Sequence, residues 1–326
     1  MSSPDSLRED IPLVVVLGPT AVGKTELAIQ LAERLGGEIV SADSRLFYRG
    51  MDIGTAKPTA AERARVPHHL IDVAEPDEVW SLAIFQRSAH YAIKEIHARG
   101  YLPFLVGGTG QYIHAVIEGW KIPRSRPDQA MRKALENWMK QIGPDGLHNR
   151  LSVLDPLAAS RIDPRNIRRT IRALEVVLRT GRRFSDQSKR GKPPYRTLLL
   201  GLSQPRPELY GRIDARIEKM LATGFEDEVS ALLQKGFNPD LPNLSAIGYR
   251  QMIGYLKGEI SLEEAVRLMK RSTRQFVRRQ ANWFKEDDPR IHWFRPGANT
   301  VDEMEDLIIS WLADLRSNDH KMDFFS

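Results

Sequence analysis

The chain has 326 residues and no cysteine, which excludes disulfides, zinc–thiolate sites and thiol nucleophiles and suits a reducing cytoplasm. At 41% hydrophobic it can bury a sizeable core, and its length points to two domains or to one core carrying a large insertion. No apolar run approaches the ~20 residues of a membrane span, no leader pattern opens the chain, and the net charge of +6 is modestly basic.

The first predicted element is residues 13–17, Leu-Val-Val-Val-Leu, a run typical of a buried strand. It leads into Gly18-Pro19-Thr20-Ala21-Val22-Gly23-Lys24-Thr25, a complete G-x-x-x-x-G-K-T loop, and a helical pattern over 26–32 follows. In that setting successive backbone N–H groups converge on phosphate oxygens at a helix N-terminus. Lys24 adds a mobile positive charge, and Thr25 offers a hydroxyl to Mg²⁺. The loop calls for a diphosphate or triphosphate without saying whose.

Apolar strands over 38–42, 69–73 and 102–106 alternate with amphipathic helices. This predicts an α/β fold, a P-loop NTPase-like parallel sheet with helices on both faces. Ligands of such sheets bind beyond the C-terminal ends of the strands. Two sequences stand there: Ser41-Ala42-Asp43-Ser44-Arg45 and Gly107-Gly108-Thr109-Gly110. Asp43 is expected to hold Mg²⁺ or accept a proton, with helix capping as the alternative. Gly107-Gly108 permits close backbone approach and Thr109 presents a hydroxyl, although a plain tight turn would use the same residues. Asp72 resembles a Walker-B aspartate and competes with Asp43 for the metal; the strand-end position favours Asp43. His68 and His69 are adjacent, so they point to opposite sides of a strand and read as structural.

Composition changes near Trp120. Residues 121–128 form a polar linker with two prolines, and helical patterns without strands follow. The expected organisation is a core over 1–120 and 196–326, interrupted by an all-helical insertion over 121–195. Within the insertion a helix is expected to start at Asp163-Pro164 and stop at Gly181. Ile167, Ile171, Leu174 and Leu178 would face inward, with Arg168, Arg172 and Arg179 beside them. Eleven Lys/Arg lie between Arg161 and Lys192 against Asp163, Glu175 and Asp186, and six lie between Lys270 and Lys285 with no acid. Such clusters suit a polyanion such as nucleic acid, or simply solvate helix surfaces. Residues 197–202 read as a strand rejoining the sheet. Leu209, Ile213, Ile217, Met220 and Leu221 then form a stripe opposite Arg212, Arg216 and Lys219, ended by Gly224.

Seven segments together carry a family resemblance. They are the phosphate loop, Ser-Ala-Asp-Ser-Arg-Leu-Phe-Tyr (41–48), Met-Asp-Ile-Gly-Thr-Ala-Lys-Pro (51–58), His-His-Leu-Ile-Asp (68–72), Gly-Gly-Thr-Gly-Gln-Tyr (107–112), Ile-Arg-Ala-Leu-Glu-Val (171–176) and Ala-Ile-Gly-Tyr-Arg-Gln (246–251). In this order, over residues 12–285, they resemble the bacterial tRNA dimethylallyltransferases. Arg45 and Phe47 depart slightly from the family's Asp-Ser motif, and the zinc finger of eukaryotic relatives is missing.

The resemblance implies transfer of a dimethylallyl group from dimethylallyl diphosphate to N6 of the adenosine 3′-adjacent to the anticodon in tRNA. It implies Mg²⁺ as cofactor, a monomer, and no membrane. Residues 18–25 would hold the leaving diphosphate, Arg216 would neutralise it, and Asp43 would take the amine proton. Thr109 would hydrogen-bond the bridging oxygen or position the base. Asp43, Ser44, Arg45, Leu46 and Thr109 would contact tRNA. So would Arg132, Arg168, Arg169, Thr170, Ile171 and Arg172 of the insertion, and Ser245, Ala246, Ile247, Gly248, Tyr249 and Arg250. An adenine in the anticodon loop must be extruded to react. The competing readings are an adenylate isopentenyltransferase using free AMP or ATP, a small-molecule P-loop kinase, and a non-catalytic RNA-binding module. The basic insertion argues against the first two, and the intact Gly23-Lys24-Thr25 against the third.

Overall fold

The structure, a computed structural model, describes residues 11–123, 128–187 and 191–322, so linker residues 124–127 and the basic residues Lys189 and Arg190 lie outside it. The strands are β1 (Pro12–Leu17), β2 (Gly37–Ser41), β3 (His68–His69), β4 (Leu102–Gly107), β5 (Arg196–Leu202) and β6 (Ile291–Phe294). They form one sheet in the order β3-β2-β4-β1-β5-β6 with every pairing parallel. The helices are α1 (Lys24–Leu35), α2 (Ala60–Arg65), α3 (Leu82–Ala98), α4 (Gly110–Ile117), α5 (Gln129–Leu154), α6 (Pro156–Ala159), α7 (Ile167–Thr180), α8 (Phe184–Gln187), α9 (Arg206–Ala222), α10 (Phe225–Gln234), α11 (Tyr249–Leu256), α12 (Leu262–Gln280) and α13 (Thr300–Met322).

The chain divides into a sheet unit, running to Ile117 and resumed at Pro194, and a helical unit, Glu118–Pro193. The expected α/β sheet is present. β1 explains itself: Leu13 to Leu17 are all wholly buried, because a central parallel strand is covered on both faces and reads as one apolar run. Ala28, Ile29, Leu31 and Ala32 of α1 and Phe85, Ala89, Ile93 and Ile96 of α3 supply covering faces. The helical unit has its own core, including Leu135, Leu147, Leu151, Ile171 and Leu174. Its long helix α5 is broken at Gly143, which has φ 76 and precedes Pro144.

Four local expectations are corrected. The strand foreseen over 69–73 is only His68–His69, because Leu70 (φ 62) and Asp72 (φ 55) leave the extended region. β6 was not foreseen; it pairs with β5, where Trp293 packs over Gly201 so closely that a Cβ there would lie 2.5 Å from the indole. Helix α7 starts three residues later than Pro164: the Asn166 side chain accepts the Arg169 N–H (3.2 Å), while Asp163 is occupied with Arg165. Leu178 is 52% exposed, and Ala173 and Val176 are buried in its stead.

Candidate active site

Because the sheet is parallel, the loops after β1, β2 and β4 emerge at one edge. After β1 the chain enters Gly18 (φ 148), where a Cβ would lie 2.6 Å from the Leu202 carbonyl oxygen, so only glycine passes. Ala21 is held in the left-handed region (φ 68), and Arg212 Nε donates to its carbonyl at 2.8 Å. Gly23 (φ 105) closes the loop, and α1 begins at Lys24 with no side-chain cap, leaving first-turn N–H groups to face an anion. A clasp from the end of α12 joins this loop to the next. Gln280 accepts the Thr20 N–H (3.0 Å) through its amide oxygen and donates through Nε2 to the Gly108 carbonyl (2.9 Å). A Cβ on Gly108 would approach Gly18 O at 3.0 Å, so the Gly-Gly-Thr-Gly loop lies directly against the phosphate loop.

Three charged groups influence one another beside these loops. Lys24 Nζ donates to Pro19 O at 2.7 Å. The residue is half-buried, but its ammonium end is enclosed. That enclosure, chiefly, brings its pKa from 10.5 down to about 8; Asp43 opposes the change and Arg216 adds to it. Burial also holds the Arg216 guanidinium below its ordinary range, with Asp43 the compensating anion, and its Nη2 donates to Thr55 O at 3.1 Å. Asp43 is therefore the carboxylate shared by two enclosed cations. Its Oδ1 accepts the Arg45 N–H (3.0 Å), a local turn that fixes the side chain. Tyr112, four residues past Gly108, has its phenol pushed up to about 12, mainly by burial, with Tyr48 and Asp43 adding and Arg45 opposing. It stacks on Phe85 (4.4 Å) and Phe47 (6.0 Å). Cations, open amides and one carboxylate suit a reaction that releases an anion and removes a proton.

Residues 46–287 match the family described as IPP transferase, and residues 11–72 match one described as isopentenyl transferase. The chain belongs to the IPP transferase family. It is 55% identical over 275 residues to a tRNA dimethylallyltransferase of Roseiflexus sp. (strain RS-1), covering 84% of this chain and 90% of that one. A tRNA dimethylallyltransferase of Thermomicrobium roseum is 51% identical over 283 residues, covering 87% and 86%. Among solved structures, the full-length tRNA isopentenylpyrophosphate transferase of Bacillus halodurans is 42% identical with a TM-score of 0.71, covering 96% of this chain and 100% of that one. A eukaryotic dimethylallyltransferase, seen in crystallographic snapshots acting on tRNA, is 28% identical with a TM-score of 0.74, covering 94% and 80%.

Thr109 is half-buried at the head of α4, its carbonyl accepting the N–H groups of Tyr112 (2.9 Å) and Ile113 (3.2 Å). Ser44, Arg45 and Leu46 form a half-buried turn, and Arg45 Nη1 reaches Asn243 O at 3.5 Å, linking it to the 245–250 segment. In that segment Ser245 and Arg250 are exposed and Ile247 half-buried, but Ala246, Gly248 and Tyr249 are buried. Tyr249 is wholly enclosed and donates its hydroxyl to Glu228 (2.6 Å), so its side chain does not face RNA as expected.

In the helical unit Arg168 and Arg169 are exposed, whereas Thr170 and Ile171 are buried and their side chains pack inward. Arg172 does not face outward beside Arg168. It donates to the fully buried Glu175 (2.7 Å), as does Arg132 through Nε (3.1 Å) and Nη2 (3.0 Å). Asp72 lies just past the edge strand β3 and is paired with Lys57 and Arg63, which fits a structural part. His69 pairs with Glu38, and His68 Nδ1 bonds to Val66 O, again structural. Gln280, Glu228 and the bond from Arg212 to the phosphate loop escaped sequence reasoning; no local pattern ties Gln280 to a loop 260 residues earlier.

Proposed function

We propose that this chain transfers the dimethylallyl group of dimethylallyl diphosphate to N6 of the adenosine 3′-adjacent to the anticodon in tRNA. What carries the reading is Asp43 acting electrostatically on both enclosed cations, Lys24 and Arg216, at the phosphate loop, in a chain whose relatives are named tRNA dimethylallyltransferase. Alkyl transfer makes two demands: a leaving group that gains charge as it departs, and a nucleophile that must shed a proton.

The diphosphate would bind the open amides at the start of α1, flanked by Lys24 and Arg216. N6 then attacks the allylic C1 while the C1–O bond breaks, and the diphosphate departs with the bonding electron pair. Lys24 and Arg216 stabilise that growing charge in an enclosed site, where such an interaction is stronger than in water. Asp43 accepts the proton that N6 loses, a role worth about 10²–10⁴-fold in rate. Thr109 would hydrogen-bond the bridging oxygen. Thr25 is exposed at the second residue of α1, and its hydroxyl would help to hold Mg²⁺. When bound it would neutralise leaving-group charge.

Exposed Ser245 and Arg250, with Arg168 and Arg169 on α7, would supply contacts to the anticodon stem-loop. The reading takes the protein as a monomer. Among the described residues no helix is long and apolar enough to cross a membrane, and a tRNA substrate suits the cytoplasm.

The test is incubation with labelled dimethylallyl diphosphate, Mg²⁺ and substrate tRNA, without ATP. Label is expected in the adenosine beside the anticodon, with the single-turnover rate of Asp43→Ala reduced at least about a hundredfold. Label entering tRNA that lacks this adenosine, preferential transfer to free AMP, or a strict ATP requirement overturns the reading.

A further inference from the structure

Glu228, on α10, is a carboxylate that the proposed chemistry does not use, yet it is the most heavily hydrogen-bonded acid near the site. Its Oε2 accepts the N–H groups of Asp52 (2.7 Å) and Ile53 (2.6 Å), and its Oε1 accepts the Gly54 N–H (3.1 Å) and the Tyr249 hydroxyl (2.6 Å). Three successive amides on one carboxylate make a nest, and bonds to an ionised acceptor are the strong kind. The loop sits flush on its support. A Cβ on Gly54 would meet Phe225 Cε2 at 2.2 Å and Tyr249 Cε2 at 2.6 Å, so glycine is required for this seating. Burial foremost, then Glu228, pushes the Tyr249 phenol up, which keeps it a donor.

The residue next to the nest is the one that matters for chemistry. The Thr55 carbonyl accepts Arg216 Nη2 (3.1 Å), and Thr55 Oγ1 donates back to Met51 O (2.6 Å), closing the loop on itself. A guanidinium has five donors and no freedom to lose its proton, so an enclosed one is oriented by the acceptors it can find. For Arg216 those include Thr55 O, whose place is set by the nest. Displacing a charge-stabilising group by about 1 Å can cost ~10²-fold in rate.

We propose that Glu228 is a positioning residue for Arg216, acting through the 52–54 nest and the Thr55 carbonyl, and that Tyr249 ties this clamp to the 245–250 segment. This rests on the leaving-group role proposed for Arg216. Glu228→Gln keeps the shape but turns one accepting oxygen into a donor that faces backbone N–H groups.

The experiment is a double-mutant cycle read by single-turnover prenylation, with enzyme in excess, together with tRNA affinity and melting temperature. Glu228→Gln is expected to slow wild-type turnover about tenfold or more, the scale of one charge-assisted hydrogen bond. It should leave tRNA affinity within about twofold and, in an Arg216→Ala background, add less than about twofold. A role confined to fold stability predicts the same factor in both backgrounds. Additivity, or an unchanged rate in the single variant, overturns the proposal while leaving Arg216 its role. An Arg216→Ala rate equal to wild type overturns the leaving-group assignment and the proposal with it. Tyr249→Phe keeps the nest and removes one donor. It should give the same non-additivity at smaller amplitude, and it serves where Glu228→Gln fails to fold.

Discussion

Lys24 is expected to lose its proton near pH 8, and with it part of the protein's hold on diphosphate. Enclosure lowers its pKa from 10.5 to about 8, against the pull of Asp43 and with the push of Arg216. The amine is cationic below that value and neutral above it, so anion affinity is full at lower pH and falls as pH rises through 8. If only the cationic form binds tightly, the apparent Kd scales as one plus ten to the power (pH − pKa), a loss of about tenfold between pH 7 and pH 9. The assay is calorimetric binding of inorganic diphosphate at half-unit pH steps to wild type and to Lys24→Ala. Taking the ratio of the two cancels the ligand's own titration. The neighbours then set the sign of a second test. Asp43→Asn removes the charge that favours the ammonium and moves the midpoint below that of wild type; Arg216→Ala removes a like charge and moves it above. A ratio that stays flat from pH 7 to pH 9 refutes the reasoning, as does a midpoint that both variants shift the same way.

Glu175→Gln should strand Arg132 and Arg172 in the helical unit. Breaking a buried pair costs ~3–5 kcal/mol. Because the two arginines are 31% and 24% exposed and can turn to water, about 2 kcal/mol is expected, or ~8–16 °C in that unit's own calorimetric transition. No change in that transition would deny the network a stabilising role. Burial alone would raise the Glu175 pKa, yet Arg132, the Asp128 amide and Arg172 together bring it below 4.5. The stabilisation is therefore present above that pH and lost as pH falls through the depressed folded value. Arg168→Ala with Arg169→Ala should flatten the salt dependence of tRNA binding, across all substrate tRNAs. The log–log slope should drop by ~0.7–0.9 for each phosphate the protein ceases to neutralise. Arg172→Ala should lower melting temperature with the slope unchanged, and an unchanged slope in the double variant removes α7 from the RNA interface.

The phosphate loop, its flanking strand and helix, and the strand-end positions of Asp43 and Thr109 were legible in the amino-acid sequence alone. The reason is that they are local: a helix start, a left-handed glycine and a run of apolar residues each depend on neighbours a few positions away. Of the apolar stripe Leu209, Ile213, Ile217, Met220 and Leu221, legible for the same reason, the first four are buried and Leu221 is half-buried against the core. Placing Arg216 opposite that stripe followed from helical period. Its acceptor did not, since Thr55 lies 161 positions away, and neither did the tie between Glu228 and the Gly54 amide, 174 positions apart. Short β6 was hidden because four residues carry too little periodicity to separate a strand from a turn. Arg168 and Arg172 looked alike in sequence, and only the buried Glu175 distinguished them by claiming one. Nothing in residues 268–280 announced that Gln280 would clasp two loops far up the chain. Those partnerships exist because a parallel sheet gathers its strand ends at one edge and stacks helices from distant segments beside them, a choice made by packing of the whole core and written in no single stretch of the chain.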